Sequence, residues 1–376
     1  MISKEFMALS GKILQISSYT ISAVWKGFST MASNTKNARL SKVIGTHSGV
    51  FHCDEALACF MLKQLPEYSD AKIIRSRDLN ILEKCDIVVD VGGEYNPKTH
   101  QYDHHQRSFT HTISTVRPDL IKNKFVKLSS AGLIYAHFGL EVLANLLGTH
   151  KIAATSECLR CLYVFIYEGF VEEIDAIDNG VPMYSEGKAS YKISTHLSAR
   201  VGRLNPKWNE PQDESTDEIF FQAVDLVGKE FTERVLEAAT VWWPGREIVR
   251  KAIENRHEID QSGQIILMEE RCPWKDHLAV LEEEMGISEE IKFVIFHDRG
   301  GSWRVQAVPI QPDSFVCRVF LHKDWRGVRD EEMSKVAGIE GCIFCHATGF
   351  IGGNKTKQGA LQMALKSLSA SISDRE

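Results

Sequence analysis

From residue 43 onward, short apolar runs alternate with helical patterns, and this alternation constrains the fold more than any other feature of the chain. "KVIGTH" (42–47), "AKIIRSR" (71–77) and "DIVVDVGG" (86–93) read as strands, with "DEALACFMLKQL" (54–65) and "LNILEKC" (79–85) as helices between them. A βαβαβ series of this kind makes a parallel sheet with helices on its faces. After a polar loop to residue 127, "SSAGLIYAHFGLEVLANLLG" predicts a long helix, with Ser129 or Ser130 as N-cap and Gly148 at its end. Another helix is expected over about 155–178, stopped where Gly180 suits a left-handed cap, and a third over 215–243. The third continues to about 256, with an interruption near Pro244-Gly245.

The pattern then changes. Strands are expected at 264–269, 291–298 and 302–310, the last two joined by the turn 299–301. "GCIFCHATGF" adds another strand and "TKQGALQMALKSLSA" a final helix. A chain of 376 residues is long for one domain, so an α/β architecture with two domains is expected. The first, 43–256, is a parallel-sheet domain with a helical connector, and the second, 257–376, is a smaller mixed α+β domain.

The net charge of −6 argues against binding nucleic acid through a generally basic surface, but the charge is uneven. Residues 1–42 hold Lys4, Lys12, Lys26, Lys36, Arg39 and Lys42 against Glu5 alone, a net +5 that leaves −11 for the remainder. Basic, acid-poor and rich in Ser and Thr, this segment has the composition of a mitochondrial leader or of a disordered tail. No uncharged apolar run reaches about 18 residues, so no membrane span is expected. The nine cysteines, including the Cys158/Cys161 and Cys342/Cys345 pairs, read as reduced and mostly buried thiols.

The chemistry-bearing residues cluster at the ends of the predicted parallel strands, where open α/β sheets place their sites. The first strand ends at His47 and is followed by His52 and Asp54 in "THSGVFHCDEA". The third carries Asp90 just before Gly92-Gly93, and "QYDHHQRS" follows with Asp103, His104, His105 and Arg107. "EEIDAIDNG" supplies Asp175 and Asp178, three apart and so on one helix face. Each residue has a plain structural use: Asp before Gly forms turns, and paired histidines sit in solvated loops. Together, so many carboxylates repel one another unless a cation neutralises them. Mixed carboxylate and imidazole donors suit Mn²⁺ better than Ca²⁺, and their number suits two ions roughly 3.5–4 Å apart.

"HSGVFHCDEA", "VVDVGGEY", "YDHHQRSF" and "VEEIDAIDNG" resemble the four metal-binding motifs of the DHH phosphoesterase superfamily. Across 43–376, with "KLSSAGLIYAHFG", "LSARVGRLNP", "WRGVRDEE" and "GCIFCHATGFIGG", the chain resembles the melanocyte proliferating gene 1 family more closely. The resemblance implies a DHH-type catalytic domain and a divalent-metal exonuclease, using Mn²⁺ or Mg²⁺ and acting 3′→5′ on single-stranded RNA in the mitochondrial matrix and nucleus. It implies metal ligation by His47, His52, Asp54, Asp90 and His104, completed by Asp175 or Asp178. Asp103 would support the histidines that follow it, with His105 facing the scissile phosphate and Arg107 assisting. The segment around His346 and "GFIGGNKTKQGA" resembles the glycine-rich substrate motif. Gly352-Gly353 would bring backbone N–H groups to a phosphate, with Asn354, Lys355 and Thr356 beside them.

One departure is notable: His52 stands where the usual first motif has an aspartate. Arg200, Arg203, Arg304, Arg326 and Arg329 are further candidates for substrate contact, and Trp303 and Trp325 for base stacking. Two rival functions follow from the same residues: hydrolysis of a small phosphate substrate such as pyrophosphate or a dinucleotide, and a nucleic-acid-binding module without activity.

Overall fold

A computed structural model of the chain describes residues 41–184, 190–209, 216–312 and 314–373. The segment read as a leader or tail lies outside the described residues but for its last two. Lys42–Glu376 forms one unit built on two five-stranded sheets.

The first sheet has the order β2-β1-β3-β5-β4, from β1 (Val43–Thr46), β2 (Lys72–Arg75), β3 (Ile87–Val89), β4 (Tyr95–Asn96) and β5 (Gln101–Tyr102). β1 pairs in parallel with β2 and β3, as the βαβαβ reading predicts, and β3 pairs in parallel with β5. The stretch expected as polar loop thus adds an edge: β4 runs antiparallel to β5 and closes that side. The helix Cys53–Lys63 follows β1 and is buried along nearly its whole length, between the helices Ser130–Thr149 and Thr216–Glu237. Such a helix reads as apolar all round rather than on one stripe.

The helix Ser130–Thr149 is long and apolar enough by composition to cross a membrane, and its buried residues pack into this core. Ser129 is its N-cap, and Gly148 lies in its last turn rather than beyond its end. The next helical stretch runs Ser156–Ile166, loosens into a π-helical turn at Tyr167–Val171 and resumes over Glu172–Asp178. A second π turn, Ala238–Trp242, comes just before Pro244 and lets the chain continue into the helix Trp243–Glu254.

The second sheet has the order β6-β7-β8-β10-β9, from β6 (Ile265–Met268), β7 (Phe293–His297), β8 (Trp303–Ala307), β9 (Cys342–Cys345) and β10 (Ile351–Asn354). One face packs Phe293, Ile295 and Val305 against Met363 and Ala364 of the last helix, Lys357–Ser373. The other packs Val294 and Phe296 against the helices Trp243–Glu254 and Trp274–Met285.

Gly352-Gly353, expected to bring backbone N–H groups to a phosphate, fall within β10. Both glycines lie in the strand, paired antiparallel with β8 on one side and β9 on the other. They are small because their neighbours are close: a Cβ at Gly352 would press on Met363 and Leu321, and one at Gly353 on Arg304 and Phe344. Asn354 is buried and caps the turn into the last helix, accepting from the Thr356 N–H at 2.9 Å. Thr356 in turn accepts from the Gly359 N–H at 3.0 Å, so it opens the helix as predicted.

Close packing also governs the central helices. A Cβ at Gly228, in Thr216–Glu237, would overlap the Phe60 ring of Cys53–Lys63. Gly228→Ala is therefore expected to lose about 1–3 kcal/mol of stability, read as an earlier midpoint in urea denaturation at unchanged slope; a wild-type midpoint would show that the two helices are not so closely packed.

Candidate metal centre

The centre is assembled where backbone geometry turns polar side chains inward. Beyond β3, Asp90 adopts a left-handed conformation (φ 62), followed by Gly92 at φ 106 and Gly93 at φ 75. A non-glycine residue held this way costs roughly 1–3 kcal/mol and is characteristic of functional sites. The turn places the Gly93 N–H 2.6 Å from Asp103 Oδ2, tying the Asp90 loop to the one that carries the histidines.

Asp90 faces two ways. Its Oδ2 lies 3.3 Å from His47 Nε2, and its Oδ1 lies 3.2 Å from His104 Nε2 and 3.8 Å from His105 Nδ1. His104 Nε2 is also 3.2 Å from Asp178 Oδ2. Ligand-type atoms fall within 4.8 Å of one another in three groups: His47, His52, Glu55 and Asp90; Asp90, His104 and His105; and His52, Asp54 and Asp178. Asp90 and His52 each belong to two of them.

The structure thus draws together His47, His52, Asp54, Asp90, His104 and Asp178. Asp175 is not brought in. Its buried Oδ1 accepts from the Ser129 N–H at 2.9 Å and the Ser129 hydroxyl at 2.7 Å, and its Oδ2 from the Tyr167 hydroxyl at 3.2 Å. Three apart on one helix face, the two aspartates are still a turn apart along it, and only Asp178 reaches His104. Ser130, beside Ser129, donates to Asp54 Oδ2 at 2.7 Å. The serine pair that starts the helix Ser130–Thr149 therefore orients two acids, a role hidden behind their legible one as caps.

Asp103 accepts from the His105 N–H at 3.1 Å and from its Nδ1 at 2.7 Å, which leaves Nε2 as the free nitrogen of an exposed ring. His105 and Arg107 line, with His52, Asp54, His104 and Asp178, a cavity of about 690 Å³. The lining residues all come from 52–202, and His346, Gly352, Gly353, Asn354, Lys355 and Thr356 are not among them. His346 instead accepts from the Thr348 N–H within the β9–β10 turn. Of the other substrate candidates, Arg200 pairs with Glu230, Arg304 with Asp298, and Trp325 is buried with His322 stacked on it.

Electrostatics describe crowding. Burial raises Asp54 well above the carboxylate range, and the charges of Asp90, Asp178 and Glu55 push the same way. Burial likewise raises Asp178, with His104 opposing and Asp90 adding to the shift. For Asp90 burial is outweighed by His104 and His47, which hold the carboxyl low. His47 is pushed up to about 10 because Asp90 and Glu55 outweigh its burial. Asp54 Oδ1, Glu55 Oε2, Asp90 Oδ1 and His104 Nε2 are buried without hydrogen-bond partners; the 3.2 Å approach of the last two lacks hydrogen-bond alignment. Buried charges and orphaned donor atoms aimed at one another fit divalent metal, which replaces protons on such groups.

The sequence pattern gave no prominence to Glu55, whose Oε1 lies 3.1 Å from His47 Nε2, nor to Arg77, whose guanidinium comes within 3.2 Å of His47 Nδ1.

Comparison with known proteins bears on the whole of this region. The MYG1_exonuc family model, described as an uncharacterised protein family (UPF0160), matches residues 43–368. The chain is 52% identical over 326 residues to human MYG1 exonuclease, covering 86% of this chain and 85% of that one. It is 50% identical over 333 residues to an MYG1 protein of Caenorhabditis elegans, covering 88% and 96%, and 42% identical over 339 residues to one of Saccharomyces cerevisiae, covering 88% and 97%. No solved structure matches.

The two aspartates on Glu172–Asp178 are separable by experiment. Asp178→Asn is expected to weaken Mn²⁺ binding at least about tenfold, whereas Asp175→Asn should leave it near wild type, checked by calorimetric titration. Burial pushes Asp175 up to about 7, against the opposing Ser129 and Tyr167 hydrogen bonds. A raised carboxyl favours the folded state at low pH, and that contribution is lost as pH rises from the ordinary carboxylate range through about 7. The melting temperature of Asp175→Asn relative to wild type should therefore climb between about pH 5 and about pH 8; a constant difference would contradict the assignment.

Proposed function

The chain belongs to the MYG1 exonuclease family, and on that premise we propose that it is a metal-dependent 3′→5′ exoribonuclease acting on single-stranded RNA. The observation that carries the metal-dependent reading is Asp90, whose two carboxylate oxygens face separate groups of potential ligands in one buried cluster. This is how a carboxylate shared by two ions is placed. It also supports membership of the DHH phosphoesterase superfamily.

In this reading His47, His52, Asp54, Asp90, His104 and Asp178 hold two divalent ions, Mn²⁺ in preference to Mg²⁺. Such ions supply charge neutralisation at the phosphoryl oxygens and activation of water. The protein's own groups do the rest. Asp103 fixes His105 with Nδ1 as donor and favours its protonated form. The ring can then give a hydrogen bond, or a proton, from Nε2 to the phosphodiester or its leaving 3′ oxygen. Arg107 and Lys127 supply positive charge along the cavity. A space of about 690 Å³ is large enough to admit a terminal nucleotide.

The same cavity size supports a second reading, hydrolysis of a dinucleotide or of pyrophosphate. We further assign catalysis to 43–256, which supplies every residue lining the cavity, and, on the family resemblance alone, a substrate-holding role to 257–376. The basic, hydroxyl-rich first 42 residues support a mitochondrial address, and a nuclear pool follows from the family resemblance.

Asp90→Ala and His104→Ala should each lower hydrolysis of a 3′-labelled oligoribonucleotide by at least about a hundredfold, and chelation of metal should abolish it until Mn²⁺ is returned. His105→Ala should cost about 10²–10⁴-fold in rate while metal still binds. Activity retained by Asp90→Ala in excess Mn²⁺ would refute the reading, and faster turnover of pyrophosphate than of oligonucleotide would favour its rival.

A further inference from the structure

We propose that Glu55 is itself a metal ligand, completing with His47, His52 and Asp90 a set of two imidazoles and two carboxylates for one divalent ion. The inference rests on the metal-dependent reading above and goes beyond it by adding a ligand outside the motif residues.

Glu55 has an evident structural use. Third in the helix Cys53–Lys63, it accepts the His52 N–H at 2.8 Å through Oε1, the reciprocal bond of a capping box. That use accounts for one oxygen. It does not account for the other, nor for the burial: the side chain is 0% exposed and Oε2 has no hydrogen-bond partner. Capping glutamates ordinarily keep their spare oxygen in water, because enclosing a carboxylate without compensation is costly.

The imidazole that faces Glu55 is that of His47, whose Nε2 lies 3.1 Å from Oε1. An imidazole that ligates metal is neutral, so with His47 on an ion the buried Glu55 carboxylate is compensated only by facing the ion too. The geometry allows this, since ligand atoms of His47, His52, Glu55 and Asp90 all lie within 4.8 Å of one another. The helix N-terminus adds a favourable potential for the carboxylate. In this sub-site two imidazoles accompany two negative charges, which balances a divalent ion and favours a borderline transition metal over Mg²⁺ or Ca²⁺. Glu55 also bears on the imidazole at position 52: the charge that His52 does not supply is supplied one helical turn along, from the same loop-to-helix junction.

Glu55→Gln separates the two roles. It keeps an oxygen to accept the His52 N–H and removes the charge. The full chain, wild type and variant, is stripped with chelator, melted, and dialysed against graded Mn²⁺ with bound metal counted by mass spectrometry. The expected result is two Mn²⁺ per wild-type chain. The stripped variant should melt close to wild type, binding one ion normally and the second at least about tenfold more weakly. Glu55→Gln binding both ions with wild-type affinity would overturn the proposal and leave Glu55 a cap. A wild-type chain that binds no Mn²⁺ would overturn the metal-dependent reading and this inference with it, so the two failures are distinguishable. If Glu55→Gln does not fold, Glu55→Asp carries the same test, because it keeps the charge but shortens the reach by one methylene.

Discussion

Like charge buried in a small volume is the constraint around which this chain is organised. Asp54, Glu55 and Asp90, all buried, meet His47, His104, the half-buried Asp178 and the exposed His52, and Asp54 Oδ1, Glu55 Oε2, Asp90 Oδ1 and His104 Nε2 are left without hydrogen-bond partners. The surrounding elements make sense as devices for holding them there. The parallel strands end at the cluster, a strained Asp90 turn aims one carboxylate in two directions, one helix N-terminus carries Asp54 and Glu55, and another donates to Asp54 through Ser130. The helix Cys53–Lys63 is enclosed by two others, so its first turn is anchored on a rigid body.

Much of this was legible in the residues. The βαβαβ alternation located the sheet, and acids and histidines at strand ends located the cluster, because period and position are local properties of a sequence. What was not legible depended on which atoms meet across the fold. Asp175 and Asp178 share a helix face, and only the packing of Ser129 and Tyr167 against one of them separates their roles. Glu55 sits beside Asp54 with no mark of its own; its burial follows from the helices above it. The crowding of Gly352-Gly353 in β10 is set by Met363, Leu321 and Phe344, which are distant in sequence and so invisible locally.

The charge pattern carries a similar lesson. The described residues are acidic overall, yet part of that acidity is concentrated where divalent ions would reverse its sign. Basic residues near the reaction are few: Arg107 and Lys127 line the cavity, whereas several arginines elsewhere are engaged with acids of the fold. A polyanion would then be drawn mainly by bound metal, and its affinity would follow metal occupancy more closely than surface charge.

The central claim is that one buried cluster holds two divalent ions sharing Asp90. Anomalous diffraction from crystals of the full chain grown with Mn²⁺ tests it most directly. The account predicts two peaks roughly 3.5–4 Å apart, one on each side of the Asp90 carboxylate. A single peak away from Asp90, or none in the cluster at saturating Mn²⁺, would contradict it.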